Sequence, residues 1–176
     1  MKLKTKIQLF SSLFMLLLIL LVNASIYFLF YKFSAENELD EVSAQTDAIV
    51  ETLQVNPDFP RVQLLKAFVP ENGLIRVINQ DDKEVVPTIT KDIEFTKLPY
   101  KFFDRERRRI EKDEEGHYVA IVSKPIIWED GEIVTLQVAD YLISLDGMMA
   151  TLLYVLIAAS LIILIPTIIA GNLLSK

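Results

Sequence analysis

Cysteine is absent from the 176 residues, and its absence excludes several kinds of site. A thiol nucleophile, a disulfide framework and a cysteine-ligated zinc centre all require it. Histidine occurs once, at His117, and the five glycines are scattered. The sequence therefore contains neither a glycine-rich phosphate-binding loop nor a credible Ser-His-Asp triad, and we do not expect this chain to be a catalyst.

Charged residues are missing from two long stretches, Ile7–Tyr31 and Gly147–Ser175. Each exceeds the roughly 20 apolar residues that cross a hydrocarbon core as a helix. We predict transmembrane helices at residues 9–31 and 147–172, on either side of a folded domain at residues 32–146. Two alternatives stay open, namely a cleaved signal peptide in place of the first span and a buried helical hairpin in a soluble protein.

Basic and acidic residues are divided between the ends and the middle of the chain. Three lysines precede the first apolar stretch and Lys176 follows the second, whereas all 24 acidic residues lie between the stretches. The middle segment keeps the other 14 of the 18 basic residues, so its net charge is about −10. The positive-inside rule then predicts that residues 1–8 and 173–176 are cytoplasmic and that the middle domain is extracytoplasmic.

An apolar stripe continues the first helix beyond the predicted membrane span. Its spacing of 3, 4, 3 and 4 residues is typical of a helix with a coiled-coil-like seam. The stripe consists of Leu39, Val42, Thr46, Ile49 and Leu53. We predict one long helix that ends at about Gln54, before Pro57. The stripe packs either on the sheet of its own domain or on a second copy of the chain.

The rest of the middle domain alternates short strands and turns. A short helix is predicted from Pro60 to about Phe68, and another within residues 98–110. Alternating β-branched residues predict the strands. These strands cover residues 74–79, 84–86, 117–128 and 133–142. Their order indicates an α+β fold, in which a helix packs on one face of an antiparallel sheet.

The last strand shows the clearest alternation of side chains. Val134, Leu136 and Val138 point to one face, and Thr135, Gln137 and Ala139 point to the other. Successive side chains of a strand lie on opposite faces of the sheet. This pattern predicts one buried face and one wetter face.

Several segments in this order resemble the input region of a bacterial two-component sensor histidine kinase. Residues 73–81 are similar to the first strand and turn of extracytoplasmic PAS-like domains of the PDC or single-Cache type. The segments 124–127, 129–131 and 134–139 resemble the final hairpin of such domains. Residues 165–176 look like the approach to a HAMP linker, whose start falls at 173–176.

The resemblance implies a PAS-like antiparallel sheet on a long N-terminal helix, flanked by two transmembrane helices. It implies a homodimer in the bacterial plasma membrane that senses an extracytoplasmic stimulus. A kinase half outside this chain would use ATP and Mg and would enter a phosphorelay with a response regulator. No cofactor and no nucleic acid is expected for this chain itself. The alternatives are a membrane-tethered acidic interaction module, or the input half of a chemoreceptor or cyclase.

Two charged clusters are candidate binding sites. The acidic run comprises Glu111, Asp113, Glu114 and Glu115. Its carboxylates suit Ca²⁺, Mg²⁺ or a cationic peptide, and the alternative is a solvated loop. The basic cluster comprises Arg105, Arg107, Arg108 and Arg109. It suits a carboxylate or phosphate ligand, and the alternative is pairing at i,i+4 with Asp104 and Glu111 in a helix.

Two residues in the apolar stretches are candidates for signal transmission. Pro166 removes a backbone hydrogen bond and bends a helix. Asn23 can form a hydrogen bond between membrane helices. His117 is interpreted as a structural residue at the start of a strand, with a pH-titrating role as the alternative.

Overall fold

The computed structural model describes residues 3–91 and 98–174. It divides into two compact units. One is the domain Ser34–Asp146, and the other combines the terminal segments Met1–Phe33 and Gly147–Lys176. The helices and strands are α1 (Leu3–Val55), α2 (Arg61–Ala67), β1 (Gly73–Ile78), β2 (Glu84–Thr90), β3 (Arg107–Lys112), β4 (Tyr118–Ile127), β5 (Ile133–Tyr141) and α3 (Ile143–Leu174).

The helices follow the apolar pattern closely. α1 ends at Val55, one residue beyond the predicted end, because Pro57 cannot continue it. α2 begins directly after Pro60, as predicted. α1 and α3 each contain a stretch that is long and apolar enough to cross a membrane. The fold is therefore α+β with two apolar helices, as the sequence predicts.

The strands form a five-stranded antiparallel sheet in the order β2-β1-β5-β4-β3. The first and last strands of the chain, β1 and β5, are neighbours near its centre. β2 runs to Thr90, past its predicted end at Val86. Its Pro87 is tolerated because β2 is an edge strand, where an N–H group need not join the ladder.

The helix predicted within residues 98–110 is wrong. Residues 98–106 contain neither helix nor strand, and β3 follows as the second edge strand. Its register with β4 runs from Arg107 opposite Ser123 to Lys112 opposite Tyr118. Pairing with β4 satisfies the backbone of this segment and outweighs its local helical preference.

The apolar stripe of α1 packs inside its own domain. Val42, Thr46, Ile49 and Leu53 are between 0% and 5% exposed. Arg108 of β3 donates to Asp40 of α1, and Lys124 of β4 donates to Asp47. In the register, Arg108 lies opposite Val122 and Lys124 lies opposite Leu136, while Val138 lies opposite Val122. Residues opposite each other share a face, so these ion pairs place α1 over the face that carries Val122, Leu136 and Val138. The first of the two predicted alternatives for the stripe is confirmed.

The opposite face of the sheet is also covered, which corrects the prediction of a wetter face. Thr135 is 0% exposed and Gln137 is 1% exposed. The irregular residues 98–106, named here the cover segment, lie over this face. Phe103 N donates to Thr135 Oγ1 at 2.8 Å, and Thr135 Oγ1 donates to Phe103 O at 3.0 Å. The alternation is as predicted, but both faces are buried.

Candidate functional site

The junction between the sheet and the second apolar helix is very short. β5 ends at Tyr141 and α3 begins at Ile143, so Leu142 alone connects them. Tyr141 N donates to Asn72 O at 3.0 Å, and Leu142 N donates to Tyr118 O at 2.8 Å. Leu142 is 2% exposed. Backbone hydrogen bonds therefore hold the junction on both sides, and it contains no flexible linker.

A carboxyl group with an altered proton affinity lies just before this junction. Burial, together with the carboxylates of Glu38 and Glu41 on α1, raises the pKa of Asp140 to about 6, against the opposing effect of a hydrogen bond from the Tyr141 N–H. The folded domain therefore favours the protonated carboxyl group more than the unfolded chain does. Ionisation of Asp140 places a third negative charge between α1 and β5.

His117 lies beside the first turn of α3. Its Nδ1 is 3.3 Å from Asp146 Oδ2, and its Nε2 is 3.7 Å from Glu115 Oε2. Its backbone N–H donates to Asp113 Oδ1 at 2.8 Å, directly before β4 begins. The imidazole therefore connects the β3–β4 turn with the junction, in addition to its structural place at the start of the strand.

The acidic run is engaged mainly in local structure. Glu111 lies on β3, where its Oε1 is 3.1 Å from Arg109 Nε. Asp113 Oδ1 accepts the backbone N–H groups of Glu115 and His117 and so closes the turn. Across residues 3–91 and 98–174, no group of three or more histidine, aspartate or glutamate side chains is arranged to hold a metal ion. Cation binding by Glu111, Asp113, Glu114 and Glu115 stays a prediction.

The arginine cluster is split by the strand that contains it. Arg107 and Arg109 lie over the Phe103 ring, with guanidinium-to-centroid distances of 5.9 and 5.6 Å. Arg108 points to the other face and donates to Asp40. The i,i+4 pairing expected in a helix is wrong because the extended strand β3 rises about 3.3 Å per residue and so separates Arg107 from Glu111 by about 13 Å. Anion binding by Arg105, Arg107, Arg108 and Arg109 stays a prediction.

Comparison with known proteins identifies the domain. A family model described as the ArlS sensor domain matches residues 30–151. This chain belongs to the ArlS sensor domain family. The sensor histidine kinase YkoH of Bacillus subtilis (strain 168) is 34% identical over 178 residues. The alignment covers 100% of this chain and 39% of that kinase. No solved structure matches.

The match to the ArlS sensor domain family covers the whole of the unit Ser34–Asp146. With its two apolar helices, the chain is a membrane protein and corresponds to the sensor portion of a two-component kinase. The chain spans well under half of the relative's length. The narrower assignment to the PAS-like PDC or Cache type stays a prediction.

A polar contact joins the apolar helices of this ArlS-type chain. Asn23 Nδ2 of α1 donates to Ser160 Oγ of α3 at 2.6 Å, and Ser160 Oγ donates to Leu156 O at 2.7 Å. The bond that the sequence predicts for Asn23 is therefore present. Sequence reasoning missed Ser160, although a serine in a charge-free helix is itself a signal. Pro166 lies inside α3, and its role in transmission stays a prediction.

Sequence reasoning also missed a buried polar row beneath the cover segment. Arg76 of β1 donates from Nη1 to Leu98 O at 2.8 Å and lies 4.9 Å from the Tyr100 ring centroid. Its Nε is 3.2 Å from Glu84 Oε1, and burial lowers the pKa of the guanidinium. Gln137 is next to Arg76 in the register. Neither amide atom of Gln137 has a hydrogen-bond partner in the part of the chain that the structure describes.

Proposed function

We propose that this chain is the signal-input module of a two-component sensor histidine kinase. In this proposal it spans the membrane twice, with both termini in the cytoplasm and Ser34–Asp146 outside the cell. The family match and the similarity to a sensor histidine kinase support the input role. The basic ends and the acidic middle support the orientation.

The connection between β5 and α3 is the observation that carries this proposal. β5 lies between β1 and β4 in the sheet, so a change in sheet packing on either side displaces it. Only Leu142 separates it from α3. Because no flexible residue absorbs such a displacement, α3 receives it as a shift, tilt or rotation. The stimulus must bind one of the two states more tightly than the other.

The remaining components lie outside this chain and are proposed from the relative. A HAMP linker would follow α3, and a kinase half would use ATP and Mg to phosphorylate a histidine. A response regulator would then accept the phosphoryl group. The module would work as a homodimer, in which the paired apolar helices form a four-helix membrane bundle. We propose no catalytic residue and no cofactor within this chain.

The test changes the rotation of α3 relative to β5. Residues 1–176 are fused to the cytoplasmic half of a reporter sensor kinase, and one to four alanines are inserted after Ile143. Each inserted residue rotates the following helix by about 100°. We expect autophosphorylation to vary with the number of inserted residues and to return toward the starting level after four.

A matched control places the same insertions between Asp58 and Phe59, in the exposed loop between α1 and α2. These insertions add the same residues without changing the junction, so output should stay constant. Equal output from all junction variants would contradict transmission through α3. That result would favour the alternative of a membrane-tethered module, which the strongly acidic middle domain supports.

A further inference from the structure

An open apolar hollow lies where α1 ends in the domain and the β4–β5 hairpin turns. Its volume is about 620 Å³. Val50 of α1, Phe102 of the cover segment and Ile127 and Ile133 of the hairpin line it. A second hollow, of about 200 Å³, shares Val50 and Ile127 with it and extends to Arg61. The size is in the range of binding sites for small molecules or a few side chains, about 300–1,000 Å³.

Large apolar side chains around these hollows are exposed to solvent. Ile127 is 67% exposed and Ile133 is 48% exposed. The two face each other across the hairpin as a register pair. Val55, which follows the α1 residues of the wall, is 70% exposed. Adjacent large apolar side chains exposed in this way mark an interaction surface.

The charges at the edge of the larger hollow are acidic. Asp104 lines it directly. A smaller hollow, of about 450 Å³, shares Gln80 and Ile133 with it and adds Asp81 and Glu132. Within residues 3–91 and 98–174, these three carboxylates form no ion pair with a basic side chain.

The basic residue of the wall is already engaged. Arg61 Nη1 donates to Ile127 O at 2.7 Å, and its guanidinium lies 5.3 Å from the Trp128 ring centroid. It therefore holds the hairpin against α2 and does not neutralise the acidic edge. The surface combines an apolar floor with a negative rim.

We propose that this surface binds a short cationic amphipathic peptide. Its apolar side chains would cover Ile127 and Ile133, and its lysine or arginine side chains would meet Asp81, Asp104 and Glu132. Charge complementarity at the rim steers such a partner and excludes acidic ones. A second copy of the chain fits less well because a two-fold contact would bring the same carboxylates face to face.

The proposal concerns binding alone and does not rest on the signalling role. Trp128 is the chain's single tryptophan, is 7% exposed and follows Ile127 directly, so its fluorescence reports on this surface. The full chain in phosphatidylcholine nanodiscs is titrated with a tryptophan-free peptide of lysine and leucine. The nanodisc scaffold protein is a tryptophan-free variant, and empty nanodiscs correct for binding to the lipid.

We expect a saturable change in Trp128 emission. The single variants Asp104→Lys and Glu132→Lys should each raise Kd at least threefold, and Ile127→Ser should raise it severalfold. The matched controls are Glu71→Lys, which makes the same charge change in the turn between α2 and β1, and Val85→Ser on β2. Both controls should leave Kd within twofold, and circular dichroism checks that each variant is folded.

Four results would overturn the proposal. The first is the absence of a saturable emission change at any peptide concentration. The second is an equal loss of binding in Glu71→Lys, which would indicate attraction to overall negative charge. The third is equal binding of a peptide with glutamate in place of lysine. An emission change that depends on protein concentration without peptide would identify a second copy as the occupant and would also overturn it.

Discussion

Replacing Gln137 with methionine should stabilise the domain, although the change removes a polar side chain from a polar row. The Gln137 side chain is buried, and both of its amide atoms lack a partner among the described residues. A buried polar group without a hydrogen bond costs about 1–3 kcal/mol. Methionine has a similar shape and no such group. We therefore expect Gln137→Met to raise the free energy of unfolding by about 1–2 kcal/mol.

Thr135 provides the matched contrast, two residues earlier on the same strand and face. Its hydroxyl accepts the Phe103 N–H at 2.8 Å and donates to Phe103 O at 3.0 Å. Thr135→Val keeps the shape but leaves two backbone groups of the cover segment unpaired. We expect this variant to lower the free energy of unfolding by about 1–3 kcal/mol, opposite in sign to Gln137→Met.

Denaturant unfolding of the chain in nanodiscs, followed by Trp128 fluorescence, gives the free energy of unfolding of the domain for both variants. A gain of 1 kcal/mol corresponds to a rise in Tm of about 4–8 °C for a domain of up to about 100 residues. If Gln137→Met is as stable as the parent or less stable, the amide of Gln137 is hydrogen-bonded in solution. That result would refute the reasoning from the unpaired atoms.

Three further changes test other parts of the structure. Asp140→Asn should stabilise the domain at pH 8 and have little effect below pH 4. The folded pKa of about 6 lies above the ordinary 3.8, so the parent domain loses stability as pH rises between these values. This loss of unfolding free energy would amount to about 3 kcal/mol for a fully buried group. Solvent screening of the half-buried Asp140 lowers it to about 1 kcal/mol. Equal pH profiles of stability for the parent and Asp140→Asn would contradict the prediction. Gly73→Ala should lower the Tm, because its Cβ would overlap Ala139 O and separate β1 from β5; an unchanged Tm would show that the strands can shift. Asn23→Ala should weaken the pairing of α1 and α3 by about 0.6 kcal/mol through loss of the bond to Ser160, measured by SDS unfolding, and an undiminished midpoint would contradict this role.

The elements that follow from local sequence were predicted well. α1 and α3 depend on the length of their apolar stretches, and Pro57 marks the end of α1 within a few residues. β1 and β5 depend on β-branched residues and on a period of two, which are also local properties. The burial of the α1 stripe was predicted as one of two alternatives, because a stripe indicates that a helix packs but does not identify its partner.

The errors lie where distant segments meet. The arginine-rich residues were assigned to a helix, in which i,i+4 pairs would form, but β4 offers them an edge to extend. The second face of β5 was predicted to be wetter because Thr135 and Gln137 are polar. It is buried because the cover segment, some thirty residues earlier in the chain, returns across it and bonds to Thr135.

For this protein, sequence alone determined the two apolar helices, the charge asymmetry between ends and middle, and the α+β class, because each depends on composition or on a short repeat. Only the tertiary structure decided that α1 packs on its own sheet, that Arg108 is separated from Arg107 and Arg109, and that Leu142 alone joins β5 to α3. It also brought Arg76 and Gln137 side by side. These features depend on strand order and register, which arise from pairing between residues far apart in the chain.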